Sequence, residues 1–469
     1  MPSVRPALFA LLLGAAAASR ADGLPPEADL ALQRARVPED ALAVVIRELG
    51  SERTVLSAQP QRPVNPASLT KLLTTLAALD RLGPAWTWAT PVWLLGPLHD
   101  GVLEGSVVIK GSGDPKLVIE RLWLLLRRVQ QLGVREIRGD IVLDSSAFAV
   151  PEGSPADFDG DASRPYNVRP NALLLNYRSV TYTFVPDPAA GIARVLVEPA
   201  LAGSTVDRSV PLAAGACNDW RAALKASFIE RVRFAGSYAT ACGEQSWSVA
   251  DPLPASYSAR LIEALWKEMG GRLAGSVHEG LAPPGVKPSF EWLSPPLAEV
   301  VRDINKFSNN VMAQQLFYSL DLLRHPAQPA TTAGARETLR RWLVDKLGEL
   351  PPELAIDNGS GLSRDTRVTA SMLARLLTLA FDSPVMPELM ASLPIAGVDG
   401  TMLRARTTPG RAHLKTGSLR DVAAVAGYVI SDSGRRYVLV AIIQHPNANA
   451  ARPALDALVQ WTVRDAPAH

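Results

Sequence analysis

The sequence predicts a mixed α/β (α+β) fold divided into more than one domain, on three observations. At 469 residues the chain is too long for a single hydrophobic core, so two or three domains are expected. Strand-like apolar runs stand near both ends, over 41–57 and 421–444, each followed by helical periodicity. Between them, from about 90 to 250, short β-like runs punctuated by Pro and Gly change the texture. A content of 47% apolar and 20% charged residues is that of an ordinary globular protein. The net charge of +2 argues against nucleic acid or an acidic polymer as partner.

Residues 1–21 read as a secretory signal, with Arg5, an apolar core over 7–18, and Ser19-Arg20-Ala21 as the cleavage site. That core is too short to span a membrane, and no later stretch is long enough, so no integral membrane segment is expected. No cysteine lies beside the cleavage site, which argues against a lipid anchor. An exported, soluble, periplasmic protein is the expectation. In that oxidising context the two cysteines, Cys217 and Cys242, read as one disulfide, the alternative being two buried thiols.

Taken in order, runs 41–47 and 53–57 flank Gly50-Ser51 as a hairpin. Residues 65–76 (NPASLTKLLTTL) run from a loop into a helix, with Leu69, Leu72, Leu73 and Leu76 at helical spacing and Gly83-Pro84 as its stop. Strand-like runs follow at 91–95, 105–110 and 139–144, with a helical pattern at 117–132. Residues 166–250 are again β-rich, notably 179–185 and 192–198, and a helix resumes from Ser256 to Gly270-Gly271. Two amphipathic helices, 296–304 and 309–323, are broken at Lys306-Phe307-Ser308. Strands 421–430 and 436–444, joined by a Ser-Asp-Ser-Gly turn, precede a last helix over 452–463.

Chemistry enters at Ser68. It stands at a helix N-terminus with Lys71 one turn on, so both side chains emerge on one face. A serine hydroxyl becomes nucleophilic when a base takes its proton, and a desolvated neutral lysine can serve. The bland reading is a helix cap followed by a solvated lysine. Two further motifs weigh against it. Ser308-Asn309-Asn310, at the break between helices, offers a hydroxyl and an amide. Lys415-Thr416-Gly417-Ser418 offers a cation, hydroxyls and a bare backbone that a substrate strand can approach. Only nine of the 48 basic residues are lysines, which makes two motif lysines informative. Ser-x-x-Lys, Ser-x-Asn and Lys-Thr-Gly in this order are the signatures of β-lactamases and penicillin-binding proteins.

Over nearly all of the chain beyond the leader, the sequence resembles the class-C low-molecular-mass penicillin-binding proteins, the D-alanyl-D-alanine carboxypeptidase/endopeptidase family. Further matching stretches are 108–115, 139–144, 357–363 and 397–401, and the long insertion between the first two motifs is similar to that family's. The last motif ends in Ser418 where threonine is common; a serine keeps the hydroxyl and the N–H.

The resemblance implies a transpeptidase-like domain from 22–89 and 285–469, an antiparallel sheet flanked by helices, with inserted β-rich domains at 90–165 plus 251–284 and at 166–250. It implies a serine DD-peptidase that cleaves D-Ala-D-Ala and D-Ala–diaminopimelate links of peptidoglycan stem peptides and is acylated by β-lactam inhibitors. Ser68 would be the nucleophile and Lys71 its base. Ser308 would relay a proton and Asn310 would hold the site. Lys415, with Thr416, Gly417 and Ser418, would steer the substrate carboxylate. The N–H groups of Ser68 and Ser418 would form the oxyanion hole. Asp144 and Arg364 could recognise the charged end of a stem peptide, or be surface and salt-bridge residues. Asp114 reads as a turn residue. The six histidines form no metal spacing or triad, so no metal or cofactor is expected. The rival readings are a serine β-lactamase, which the large insertion disfavours, and a catalytically silent module of the same fold, which the complete motifs disfavour.

Overall fold

The structure, a computed structural model, describes residues 23–465 apart from 52, 229–230 and 406–408, so the leader over 1–21 lies outside the described residues. Both ends of the chain build one antiparallel five-stranded sheet, in the order Thr54–Ala58, Leu42–Glu48, Arg436–Gln444, Val422–Ile430, Ala412–Leu419. The central strand Arg436–Gln444 reads as a continuous apolar run because both of its faces are covered. Val438, Val440 and Ile442 face one core with the helices Thr70–Leu82, Leu297–Lys306, Asn310–Arg324, Thr332–Leu347 and Ala370–Phe381. Tyr437, Leu439, Ala441 and Ile443 face a second core with the helices Pro26–Arg34 and Arg452–Val463. The two-residue period of a strand thus serves two helix layers.

The segment between the first and second motifs forms further sheets. One has the order Val277–Glu279, Ile141–Asp144, Ser106–Lys110, Ala89–Leu95, Phe290–Leu293. Because Phe290–Leu293 pairs with Ala89–Leu95, this sheet draws on residues just beyond 284. Another sheet centres on Ile192–Glu198 and Ser179–Asp187 and is closed by Gln245–Ala250. The Cys217–Cys242 disulfide lies in this part. The inserted sheets share one apolar core, which runs from Val92 and Leu125 to Phe184 and Trp266.

The insertion holds the helices Leu297–Lys306 and Asn310–Arg324. Gln315 on Asn310–Arg324 donates to the carbonyls of Gly113 (3.3 Å) and Asn171 (2.9 Å) and accepts from the Asn171 N–H (2.9 Å). Lys116 pairs with Asp303 at 2.6 Å. Among the described residues no helix is long and apolar enough to cross a membrane.

Candidate active site

The turn before helix Thr70–Leu82 sets Ser68. Asn65 Oδ1 accepts from the Ala67 N–H at 2.8 Å, and Asn65 Nδ2 donates to the Ser363 carbonyl at 2.8 Å. Ala67 is held at φ +48°, and the short 3₁₀ turn Ala67–Leu69 follows. Left-handed backbone at alanine costs energy and needs surrounding support. Gly361 supplies it by close approach: a Cβ there would sit 1.9 Å from the Ala67 carbonyl oxygen. Ser68 is left half-buried at the mouth of a cleft.

Lys71, one turn on, is fully buried. Its Nζ lies 3.0 Å from Ser68 Oγ, 2.6 Å from Asn310 Oδ1 and 2.6 Å from the Ser360 carbonyl. Among the described residues it has no carboxylate partner. Burial, and after it the charge of Lys415, holds its pKa well below the ordinary lysine value. A neutral amine in this cage donates to the Asn310 and Ser360 oxygens. Its lone pair is then left for the Ser68 hydroxyl.

Ser308 stands at φ +56° between helices Leu297–Lys306 and Asn310–Arg324, and Asn309 caps the second by accepting from the Met312 N–H at 3.0 Å. Lys415, also fully buried, donates to Ser308 Oγ at 2.9 Å and to the Thr416 carbonyl at 2.8 Å. Burial brings its pKa down to about 7. The structure therefore brings Ser68, Lys71, Ser308, Asn310 and Lys415 to one point from three distant parts of the chain.

Lys415 to Ser418 lie on the sheet's edge strand Ala412–Leu419. An isolated bridge from Ile395 to His413 covers the start of that edge, leaving the motif end for a substrate backbone. Gly417 is required by the close approach of the Ser68 turn, since a Cβ there would lie 2.7 Å from the Pro66 carbonyl oxygen. Thr416 Oγ1 donates to Thr401 Oγ1 at 2.7 Å. Ser418 Oγ donates to Asn449 Oδ1 at 3.3 Å and accepts from Arg452 at 2.6 Å.

Ser68, Ser308, Asn310, Thr416 and Ser418 line an open cleft of about 1360 Å³ that reaches Phe158, Ser179 and Arg364. Arg364 stands at its rim, 3.3 Å from Asp421 and stacked over the Phe158 ring at 4.8 Å. Asp144 is not brought here, which corrects its expected part in substrate recognition. Its side chain is 1% exposed, and its oxygens accept from the N–H groups of Ser146 and Ala282, both at 2.8 Å, with Lys110 at 3.7 Å. A carboxylate so occupied ties the end of its strand to residue 282. Asp114 is a buried turn residue that accepts from the Lys116 N–H at 2.7 Å, and burial raises its pKa to about 6. The sequence reading missed the Ser360 carbonyl, Thr401, Asn449 and Arg452. Ser360 and Thr401 lie within the matched stretches 357–363 and 397–401, which was the available signal; Asn449 and Arg452 carry none.

The model of the D-Ala-D-Ala carboxypeptidase 3 (S13) family matches residues 27–465. A D-alanyl-D-alanine carboxypeptidase of Actinomadura sp. (strain R39) is 28% identical over 463 residues, covering 92% of this chain and 84% of the relative. The structure of penicillin binding protein 4 from Haemophilus influenzae superposes with a TM-score of 0.73 at 23% identity, over 92% of this chain and 99% of that one. A predatory endopeptidase from Bdellovibrio bacteriovorus gives a TM-score of 0.55 at 16% identity, over 90% and 93% of the two chains.

Proposed function

The chain belongs to the D-Ala-D-Ala carboxypeptidase 3 (S13) family of serine peptidases, and on that premise we propose that Ser68 is its nucleophile and Lys71 the base that activates it. The observation that carries the assignment is the 3.0 Å approach of Lys71 Nζ to Ser68 Oγ inside a cage that holds no carboxylate among the described residues. Ser68 Oγ attacks the carbonyl between two D-alanines while its proton passes to Lys71. The N–H groups of Ser68 and Ser418 receive the developing oxyanion. The C–N bond breaks, and the leaving amine takes a proton through Lys71 or through Ser308, which Lys415 holds. Water then attacks the ester, returns the proton to Ser68 and releases the shortened peptide.

Peptidoglycan stem peptides are the substrates in this reading, with cross-links between D-Ala and diaminopimelate as the endopeptidase target. Arg364 at the rim is suited to a carboxylate of the stem peptide. The inserted parts, 90–165 with 251–284 and 166–250, serve as substrate-placing domains. The leader-like 1–21 supports export to the periplasm. Labelling with penicillin followed by a chase tests the assignment. Stable label on the wild type and none on Ser68→Ala is the expected result. Rapid loss of label would instead indicate a β-lactamase, and no label a silent module.

A further inference from the structure

We propose that Phe307 is the residue by which this cleft favours cross-linked substrates, its ring seating the chain that departs on the diaminopimelate side of the cut. The proposal rests on the peptidase reading above and deepens it, since that reading leaves open which of the two substrates the cleft prefers. A single exposed apolar side chain is ordinary on a protein surface. This one is set apart by its place. At 64% exposure Phe307 is the most exposed aromatic side chain among the described residues, and it lines the cleft as the neighbour of Ser308.

The fold holds the ring out. Helix Leu297–Lys306 buries Ile304, Asn305 and Lys306 in succession, and the chain then turns through Ser308 at φ +56° before Asn309 caps the next helix. Phe307 falls between the buried helix end and that turn. Its predecessor is tied inward, Lys306 to Asp399 at 2.6 Å. The following loop abuts the same helix end, since a Cβ on Gly400 would lie 2.6 Å from the Lys306 carbonyl oxygen. Thr401 then reaches the motif strand by accepting from Thr416 at 2.7 Å. Thr401, Arg404 and Ala405 line the cleft together with Phe307, so the ring and this loop flank the end that Ser308 and Thr416 mark. Ser308 is the group set to return a proton to the departing amine, which makes this the leaving-group end. A departing D-alanine is a single residue and stops there. The departing half of a cross-link continues, through the methylenes of diaminopimelate into a second stem peptide. Apolar area that closes over an exposed ring supplies binding that only the longer leaving group can use.

The test compares two substrates with the same acyl half: a stem pentapeptide ending in D-Ala-D-Ala, and the dimer in which that stem is joined through D-Ala to the diaminopimelate of a second one. The ratio of kcat/KM for dimer over pentapeptide is the measure of selection. It is taken for the wild type, Phe307→Ser, Phe307→Leu and Leu281→Ser, the last replacing a side chain that is 75% exposed and lies outside the cleft. The ratio should fall about 5- to 20-fold in Phe307→Ser, stay within about threefold of the wild type in Phe307→Leu, and hold in Leu281→Ser. A common loss of folded or acylating enzyme cancels in it. If Phe307→Ser slows both substrates equally, the ring merely supports the Ser308 turn and the proposal falls. An equal drop in Leu281→Ser would make the effect one of general surface stickiness, which also overturns it. A wild type that cleaves the pentapeptide but not the dimer defeats the proposal and spares the peptidase reading. A wild type that cleaves neither and takes no penicillin label defeats both.

Discussion

Among the described residues three lysines are buried beside the cleft, and the fold treats them in two ways. Lys306, with a side chain 4% exposed, sits 2.6 Å from the Asp399 carboxylate. Lys71 and Lys415 are buried more completely, yet their partners are hydroxyl, amide and carbonyl oxygens. An ammonium out of water is costly, and a carboxylate partner is the ordinary remedy. Lys306 receives that remedy and does a structural job. It ends the helix Leu297–Lys306, two residues before Ser308, and anchors the loop that also carries Thr401. At Lys71, the base of the proposed mechanism, no counter-charge stands among the described residues and burial favours the neutral amine. The same residue type becomes a strut or a proton acceptor according to what stands within 3 Å of its nitrogen.

The strongest way to break this comparison is Lys71→Arg. A guanidinium remains charged and cannot accept the Ser68 proton. Acylation by a chromogenic β-lactam should fall by about 10³-fold or more, within the range lost with a general base. In the wild type the acylation rate should also decline as pH is lowered, because acid protonates Lys71. Near wild-type acylation by Lys71→Arg would remove Lys71 as base.

The strut should respond differently. Asp399→Ala leaves Lys306 buried and unpaired, and should cost about 3 kcal/mol in urea unfolding, the low end for a broken buried pair because Asp399 is a third exposed. Lys306→Met should cost less, since the Asp399 it leaves behind can turn to water. Acylation in either variant should fall only through a loosened Ser308 turn, by roughly tenfold or less. If Lys306→Met proved the costlier change, the pair would not be held by its charge.

Much of this was readable in advance, for physical reasons that differ by element. Strand Arg436–Gln444 and helix Arg452–Val463 were legible to the residue, because each has an unbroken pattern between turn residues. The hairpin and the helix after Ser68 were likewise found within a residue or two. The helices Pro26–Arg34, Thr332–Leu347, Ala370–Phe381 and Met386–Ser392 were not foreseen. In Thr332–Leu347 the buried positions 335, 339, 342, 343 and 347 keep a helical rhythm, but Gly334 and a run of arginines obscure it. The chemical groups of the site lie in motifs and could be named singly. Their convergence could not, since Lys71 meets a carbonyl 289 residues away and an amide 239 away. Asp144 misled because a carboxylate in a matched stretch looks the same whether it faces substrate or backbone. Arg452 escaped because, in sequence, an arginine opening a helix looks like surface.

The subtlest test of the comparison is the pH dependence of stability. Burial brings the pKa of Lys415 to about 7, whereas in the unfolded chain it returns to the ordinary lysine value near 10.5. Between those values the unfolded chain holds the extra proton. Stability therefore rises with pH across this window, by at most about 1.4 kcal/mol per unit for one group. Lys71 acts in the same direction, and tyrosines begin to titrate near the top of the window, so the raw slope belongs to no single residue. Lys415→Met isolates it. Such a variant should be inactive but more stable than the wild type at pH 7, with the gap narrowing by about 2 kcal/mol towards pH 9 as the wild-type cost fades. Urea midpoints at pH 7, 8 and 9 for both proteins give the measurement. A gap that stays constant with pH would mean that Lys415 keeps its proton throughout, and that the contrast between strut and proton acceptor rests on Lys71 alone.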